Sequence, residues 1–216
     1  MKKLKILALT LVILVGYNCK DAKQEKVVKE TTTESYKLVP DSTKVSFTAY
    51  KTSDKLPVGG KFLKIEFKEV KNGATAMEAL NGTAFSIPVS SLFTNDATGT
   101  RDPKLLEFFF GAMTNTELIA GVFNATADNK CSIDVTMNGE TSNIPLKFTI
   151  DNENSITFNG SLNLEDWKAL EALSSLNNAC KELHTGKDGV TKTWNDVAIQ
   201  AQVFISKSTT TNTETK

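Results

Sequence analysis

The chain has 216 residues, 40% apolar and 23% charged, with 25 basic residues balancing 25 acidic ones. That is enough for one domain with a real core, or two small ones, and the composition is that of a folded protein. The neutral balance, with no basic run after residue 30, gives no electrostatic footprint for a phosphate backbone and argues against nucleic acid as a partner.

The first residues read as a targeting segment. MKKLK is a cationic start, and ILALTLVILVG (Ile6–Gly16) is an apolar run too short to span a bilayer comfortably. Cys19 follows in VGYNCKD, where bacterial lipoproteins are cut and lipidated. Asn18 and Tyr17 depart from the usual small residues before that cysteine, so an ordinary cleaved signal is the alternative. Residues 1–18 are thus expected to be a signal peptide. Removing Lys2, Lys3 and Lys5 with it leaves 22 basic against 25 acidic residues. Residues 19–34, charged and threonine-rich, read as a lipidated solvated tether, and residues 207–216 (KSTTTNTETK) as a disordered tail.

Between them, residues 35–206 have the period of a β domain. Ser35–Leu38 opens it. KVSFTAYK (Lys44–Lys51) puts Val45, Phe47 and Ala49 on one face. In KFLKIEFKEV (Lys61–Val70), Phe62 is out of phase with Ile65 and Phe67, which calls for a bulge or twist near Leu63. Gly82–Leu92, Leu118–Ala127, Ser132–Met137, Asn143–Ile150, Ser155–Leu164 and Asp196–Ile205 follow, joined by turn-forming NG, ET and DNEN. That spacing predicts about eight or nine strands in an antiparallel meander. Two segments have helical spacing: Arg101–Met113, with Leu105, Leu106, Phe109 and Phe110 on one side, and Asp166–His184, with Trp167, Leu170, Leu173, Leu176 and Cys180. The expected fold is mainly β, an antiparallel barrel with two inserted helices.

A barrel of about eight strands either fills its interior with side chains or holds one small ligand. Twelve phenylalanines bear on that choice. Phe47, Phe62, Phe85, Phe123, Phe148 and Phe158 alternate with small or polar residues on the strands, and one buried face cannot hide all of Phe108, Phe109 and Phe110. These nine rings, with Met113, Trp167 and Arg101, are the candidate lumen and mouth residues. Arg101, the single arginine, can meet a ligand head group bidentately or pair with Asp102 or another acid, and Asp102 is placed to cap the helix.

The polar residues offer little catalysis. The one histidine, His184, lies four residues after Cys180 on the same helical face; a dipole-stabilising role at the helix end competes with a nucleophile pair. No His, Cys and carboxylate cluster has metal-ligand spacing. In an oxidising envelope Cys131 and Cys180 either bridge or stay as two separate buried thiols.

Several of these segments resemble the YceI-like family: SYKLVPDSTKVSFTAYK, the VGGKF at Val58–Phe62, FSIPVSSLFTNDATGTRDPKLLEFFF, and MNGETSNIPLKFTI. The similarity covers roughly residues 35–206. The family's histidine after the opening aspartate is replaced by Ser42 and Thr43, and Asp166–His184 with HTGKDGVTKTW resembles an insertion of a lipoprotein subgroup. The resemblance implies a lipocalin-like, extended barrel whose apolar lumen holds a polyisoprenoid, such as a quinone, or another amphiphile. It implies no catalytic residues and no cofactor beyond a bound isoprenoid or acyl lipid. The expectation is a non-enzymatic envelope lipoprotein, periplasmic and held to the outer membrane by its lipid, that binds or shuttles a long-chain lipid; a homodimer is compatible with it. The alternatives are a filled interaction barrel and a lipid-directed hydrolase using His184.

Overall fold

The structure, a computed structural model, describes residues 28–126, 130–152 and 154–215. The signal segment 1–18, Cys19 and most of the 19–34 tether lie outside the described residues. Thr32–Thr210 forms one compact unit, while Val28–Thr31 and Thr211–Thr215 fall in a second, terminal unit and are extended strand.

Alternating apolar residues build one antiparallel sheet of twelve strands: β1 (Val28–Leu38), β2 (Lys44–Lys51), β3 (Leu56–Phe62), β4 (Glu66–Lys68), β5 (Asn72–Gly73), β6 (Ala84–Pro88), β7 (Leu92–Phe93), β8 (Leu118–Ala125), β9 (Cys131–Met137), β10 (Glu140–Asn152), β11 (Ser155–Asn163) and β12 (Asp196–Thr215). The main path runs β4-β6-β8-β9-β10-β11-β12-β2-β3-β7, with β1 pairing β12 and β5. From β8 to β12 it is the expected meander, and the β9–β10 turn is Asn138-Gly139, both at positive φ, as a tight hairpin turn requires. The sheet curls into a half-barrel whose end strands do not pair.

The chain crosses that unpaired seam just where the hydrophobic phase slips. Phe62 ends β3, which pairs with β2 and β7; Glu66 opens β4, which pairs with β6. The out-of-phase residues are therefore not a bulge within one strand, as the pattern alone suggests, but a corner between two. A hydrogen bond from Leu63 N–H to the Ser91 carbonyl (2.9 Å) pins the corner.

The terminal strands reach beyond the expected tether and tail boundaries. β-Branched threonines suit extended backbone, and within the compact unit the Ser206 and Ser208 hydroxyls donate to the Lys37 and Ser35 carbonyls while Lys207 meets Glu34 at 2.8 Å.

Short helical pieces interrupt the strands. α1 (Ala76–Leu80), not expected from the pattern, is capped by Thr75; it buries Ala79, and packs Leu80 into the cluster of Phe123 and Phe158. α2 (Arg101–Lys104) continues as a π-helical turn (Leu105–Phe109) and a 3₁₀ turn (Phe110–Ala112). The predicted helix beginning at Asp166 is instead a 3₁₀ turn (Leu164–Trp167), broken by Lys168 at positive φ, then α3 (Leu170–Ala179) and α4 (Lys181–His184). Leu173 and Leu176 face the lumen and Cys180 is buried, but Leu170, expected on the same side, is 42% exposed; the break lets Trp167 sink to 1% exposure and donate its indole N–H to the Val135 carbonyl at 2.9 Å.

Trp167 joins the 3₁₀ turn to the strands through Val135, Met137 and Ile144. Trp167→Ala is expected to cost about 3–5 kcal/mol in urea denaturation, and Trp167→Phe less.

Candidate ligand-binding lumen

Inward residues alternate along each wall strand. On β12 they are Val197, Ile199, Ala201 and Val203, a run of about 20 Å at the usual strand rise. On β2 they are Val45, Phe47 and Ala49, the face the sequence assigns. These walls enclose a narrow apolar cavity of about 240 Å³. Its lining offers water almost no hydrogen-bond partners.

The space exists because large rings stand opposite glycines. Phe47 pairs across strands with Gly60, and Phe85 with Gly121. A Cβ on Gly60 would lie 2.4 Å from the Phe47 ring tip, and one on Gly121 the same distance from that of Phe85. The rings thus lie over their neighbours' backbone. Phe47 also tilts against Phe62, with centroids 5.8 Å apart.

The mixed helix after α2 supplies the cover. Phe110 N–H donates to the Leu105 and Leu106 carbonyls, and this wide turn puts Leu105, Phe109 and Phe110 together on the lumen. Phe109 and Phe110 meet edge to face, with centroids 5.0 Å apart. Asp96 anchors the start of this segment. Its carboxylate accepts from the Thr98 hydroxyl (2.5 Å) and the Thr100 and Arg101 N–H groups (3.1 Å each), bonds led by Thr98 that hold its pKa down at about 2. Asp102, the expected cap, instead turns back to Thr94, accepting from its N–H and hydroxyl.

Of the sequence-predicted residues, Phe47, Phe62, Phe85, Phe109, Phe110, Phe123 and Phe158 line the cavity. The others do not. Phe108 is half-buried beside the lining pair. Phe148 packs against Phe158 at 6.0 Å, and Met113 and Trp167 belong to the filled core under the helices. Arg101 approaches Asp96 at 3.8 Å with its side chain 40% exposed, so it takes the acid-pairing role. Cys131 and Cys180 are free, buried thiols rather than a disulfide: Cys131 packs at the α1 end among Leu38, Phe123 and Ile156, while Cys180 ends α3. Burial raises the Cys131 pKa. The sequence reading missed Phe67 and Trp194 in the wall. Phe67 was legible from its alternation with Ile65; Trp194 sits in the loop after α4, where no period marks it.

The threonine hydroxyls and the Gln200 amide on the wall are engaged elsewhere, Gln200 donating to Asn159 Oδ1 at 3.0 Å. The Thr43 and Thr83 hydroxyls donate to the Val39 and Ala79 carbonyls, and Thr193 donates to Asn177 Oδ1 at 2.7 Å. With its proton so committed, Thr193 accepts from His184 Nδ1 at 2.6 Å. Among the described residues the hydrogen-bonded side chain of His184 is therefore Thr193, not Cys180. Burial, then the nearby Lys51 and Lys104, lower the His184 pKa to about 4.

The YceI-like domain profile matches residues 36–206, most of the chain. The chain belongs to the YceI-like family. No curated protein matches it. Among solved structures, the YceI-like domain is similar to a polyisoprenoid binding domain from Saccharophagus degradans implicated in plant cell wall breakdown. The TM-score is 0.57 and the identity 11%, covering 80% of this chain and 98% of that one. It is also similar to BcnA of Burkholderia cenocepacia, with a TM-score of 0.50 and 17% identity, covering 78% and 99%. At these identities the likeness is one of fold, and it agrees with the curled sheet described above.

Gly60→Ala should destabilise the YceI-like domain by about 1–3 kcal/mol. Adding Phe47→Leu should recover part of that loss, a non-additivity readable in a urea double-mutant cycle. His184 gives a pH signature. As pH falls from 6.5 toward 4 the unfolded chain takes up a proton that the folded chain refuses, so stability should fall across that window. His184→Gln should flatten the slope in thermal melts between pH 7 and pH 4.

Proposed function

We propose that this protein is an envelope lipoprotein that binds or shuttles a long-chain amphiphile, a polyisoprenoid such as a quinone or a fatty lipid, in the lumen of its half-barrel. The observation that carries this reading is the cavity: long, almost wholly apolar, and walled by rings and aliphatic side chains. The threonine hydroxyls along it are already bonded to the protein, so a polar ligand would find few partners there and a hydrocarbon chain would lose none. A filled interaction barrel would leave no such space. Membership of the YceI-like family supports the reading, as does the fold shared with a domain described as polyisoprenoid-binding. The envelope location and lipid anchor are supported by the MKKLK start, the apolar run to Gly16 and Cys19.

His184 could serve a hydrolase only if it could exchange protons with a nucleophile at working pH. Its Nδ1 is committed to Thr193, and its low pKa keeps the ring a weak base. The binding reading is therefore favoured over catalysis.

Binding energy should come from apolar burial, about 0.8 kcal/mol per CH₂. In titrations with saturated fatty acids, Kd is expected to tighten about fourfold for each added CH₂ until the lumen is full. Phe109→Asp should weaken binding more than Arg101→Ala. The reverse order, with no dependence on chain length, would show that the head group dominates.

A further inference from the structure

The lumen wall reaches the surface at two hairpin tips that pack side by side. One is the β2–β3 turn, Lys51–Leu56. The other follows α4: Lys192 N–H donates to the His184 carbonyl (3.1 Å), Gly186 N–H to the Val190 carbonyl (2.8 Å), and the Thr185 and Thr191 hydroxyls meet at 2.7 Å. Thr52 N–H donates to the Lys192 carbonyl at 2.9 Å, and the Trp194 indole N–H to the Thr52 carbonyl at 2.8 Å, so the tips form one rim. Thr193 and Trp194 belong both to this rim and to the lumen wall.

The rim has a distinctive composition. Leu56, Leu183 and Val190 are 51%, 57% and 49% exposed, three of the eight large apolar side chains that the described residues leave exposed. Around them stand Lys51, Lys55, Lys181, Lys187 and Lys192, against Asp54, Glu182, Asp188 and Asp196, the last paired with Lys55 at 2.6 Å. Asp188 is tied to the Ser53 side chain and the Val190 N–H. Five basic against four acidic side chains leave the rim an excess of one positive charge in a chain of zero net charge. Lys192 Nζ lies 3.5 Å and Lys55 Nζ 4.8 Å from the Trp194 ring centroid.

We propose that this rim is a docking face for an anionic bilayer surface. Aliphatic tips would enter the acyl boundary, Trp194 would sit at head-group depth, and the lysines would reach the lipid phosphates along their own stems. A protein partner fits less well, because protein interfaces are depleted in lysine. The exposed aliphatic tips and lysines of the rim lie outside the lumen lining except where Trp194 joins the two. The reason for a membrane there rests on the proposed lipid ligand, which docking would bring next to the wall through Trp194.

The test uses the full chain and vesicles of phosphatidylcholine, with or without phosphatidylglycerol, carrying lipids brominated near the head group. The chain has two tryptophans, and Trp167 is buried, so quenching reports Trp194; Trp194→Phe, which removes the signal, identifies its source. Quenching is expected with phosphatidylglycerol and to weaken as salt rises. Lys187→Ala should lower the partition coefficient about fivefold, and Leu56→Asp with Val190→Asp should abolish quenching. Neither Leu56 nor Val190 lines the lumen, so the paired variant should still take up a fluorescent fatty acid from vesicle-free solution at the wild-type level. Equal quenching in pure phosphatidylcholine, or quenching retained in the paired variant, would overturn the proposal. If the wild type takes up no fatty acid while charge-dependent quenching stands, the docking face holds and the lumen reading fails.

Discussion

An apolar space inside a protein survives only if the residues around it can neither collapse into it nor draw water through it. Here cross-strand pairing of aromatic rings with glycines holds the rings on the wall, and the apolar lining offers water few partners. Phe47 over Gly60 and Phe85 over Gly121 lay bulky rings along the wall where a Cβ would have pushed them off the backbone. The sheet stays curled without closing. Its seam is spanned by the corner from Phe62 to Glu66, and its helix-bearing end is covered by the π-turn that carries Leu105, Phe109 and Phe110. Each feature would be a defect in a filled core, where glycines weaken strands and a π-turn departs from the regular ladder. Around a lumen they are the means of keeping it open.

The wall and its surroundings divide the labour. Trp167 and Ala169, each at 1% exposure, make a packed layer that does not reach the cavity, and Leu164 beside them joins that layer to the lining. Asp96 and Asp102 fix the loop and first turn of the covering helix through carboxylate hydrogen bonds. Thr193, His184 and Asn177 form a closed relay at the rim end. Polar chemistry is thus used to hold the walls, which leaves hydrocarbon as the ligand chemistry the interior suits.

Much of this was legible in the sequence because strand alternation is a local signal. The inward faces of Lys44–Lys51 and Asp196–Ile205, the NG turn and the meander follow from period two alone. So does the lumen position of Phe47, Phe62, Phe85, Phe123 and Phe158. What was not legible depends on contacts far apart in sequence. The phase slip near Leu63 looks the same whether it is a bulge or a seam crossing, since only the partners of β3 and β4 distinguish them. Asp96, not Asp102, holds the start of the helix, because the loop folds back over five residues. Trp167 looked like a lumen residue on its helical face, but the αL residue Lys168 breaks that face and sends the indole to Val135. Cys131 and Cys180 are compatible with a bridge by compartment, and only the fold shows two separate buried thiols.

A half-barrel that carries a long-chain lipid, as proposed, should be purified with that lipid in place. The most direct test is native mass spectrometry of the full chain, purified gently from its own cells, followed by denaturation and organic extraction. The expected result is an added mass on the folded protein that is released on denaturation as an isoprenoid or acyl lipid. A bare protein mass that stays bare after incubation with quinones and fatty acids would contradict it.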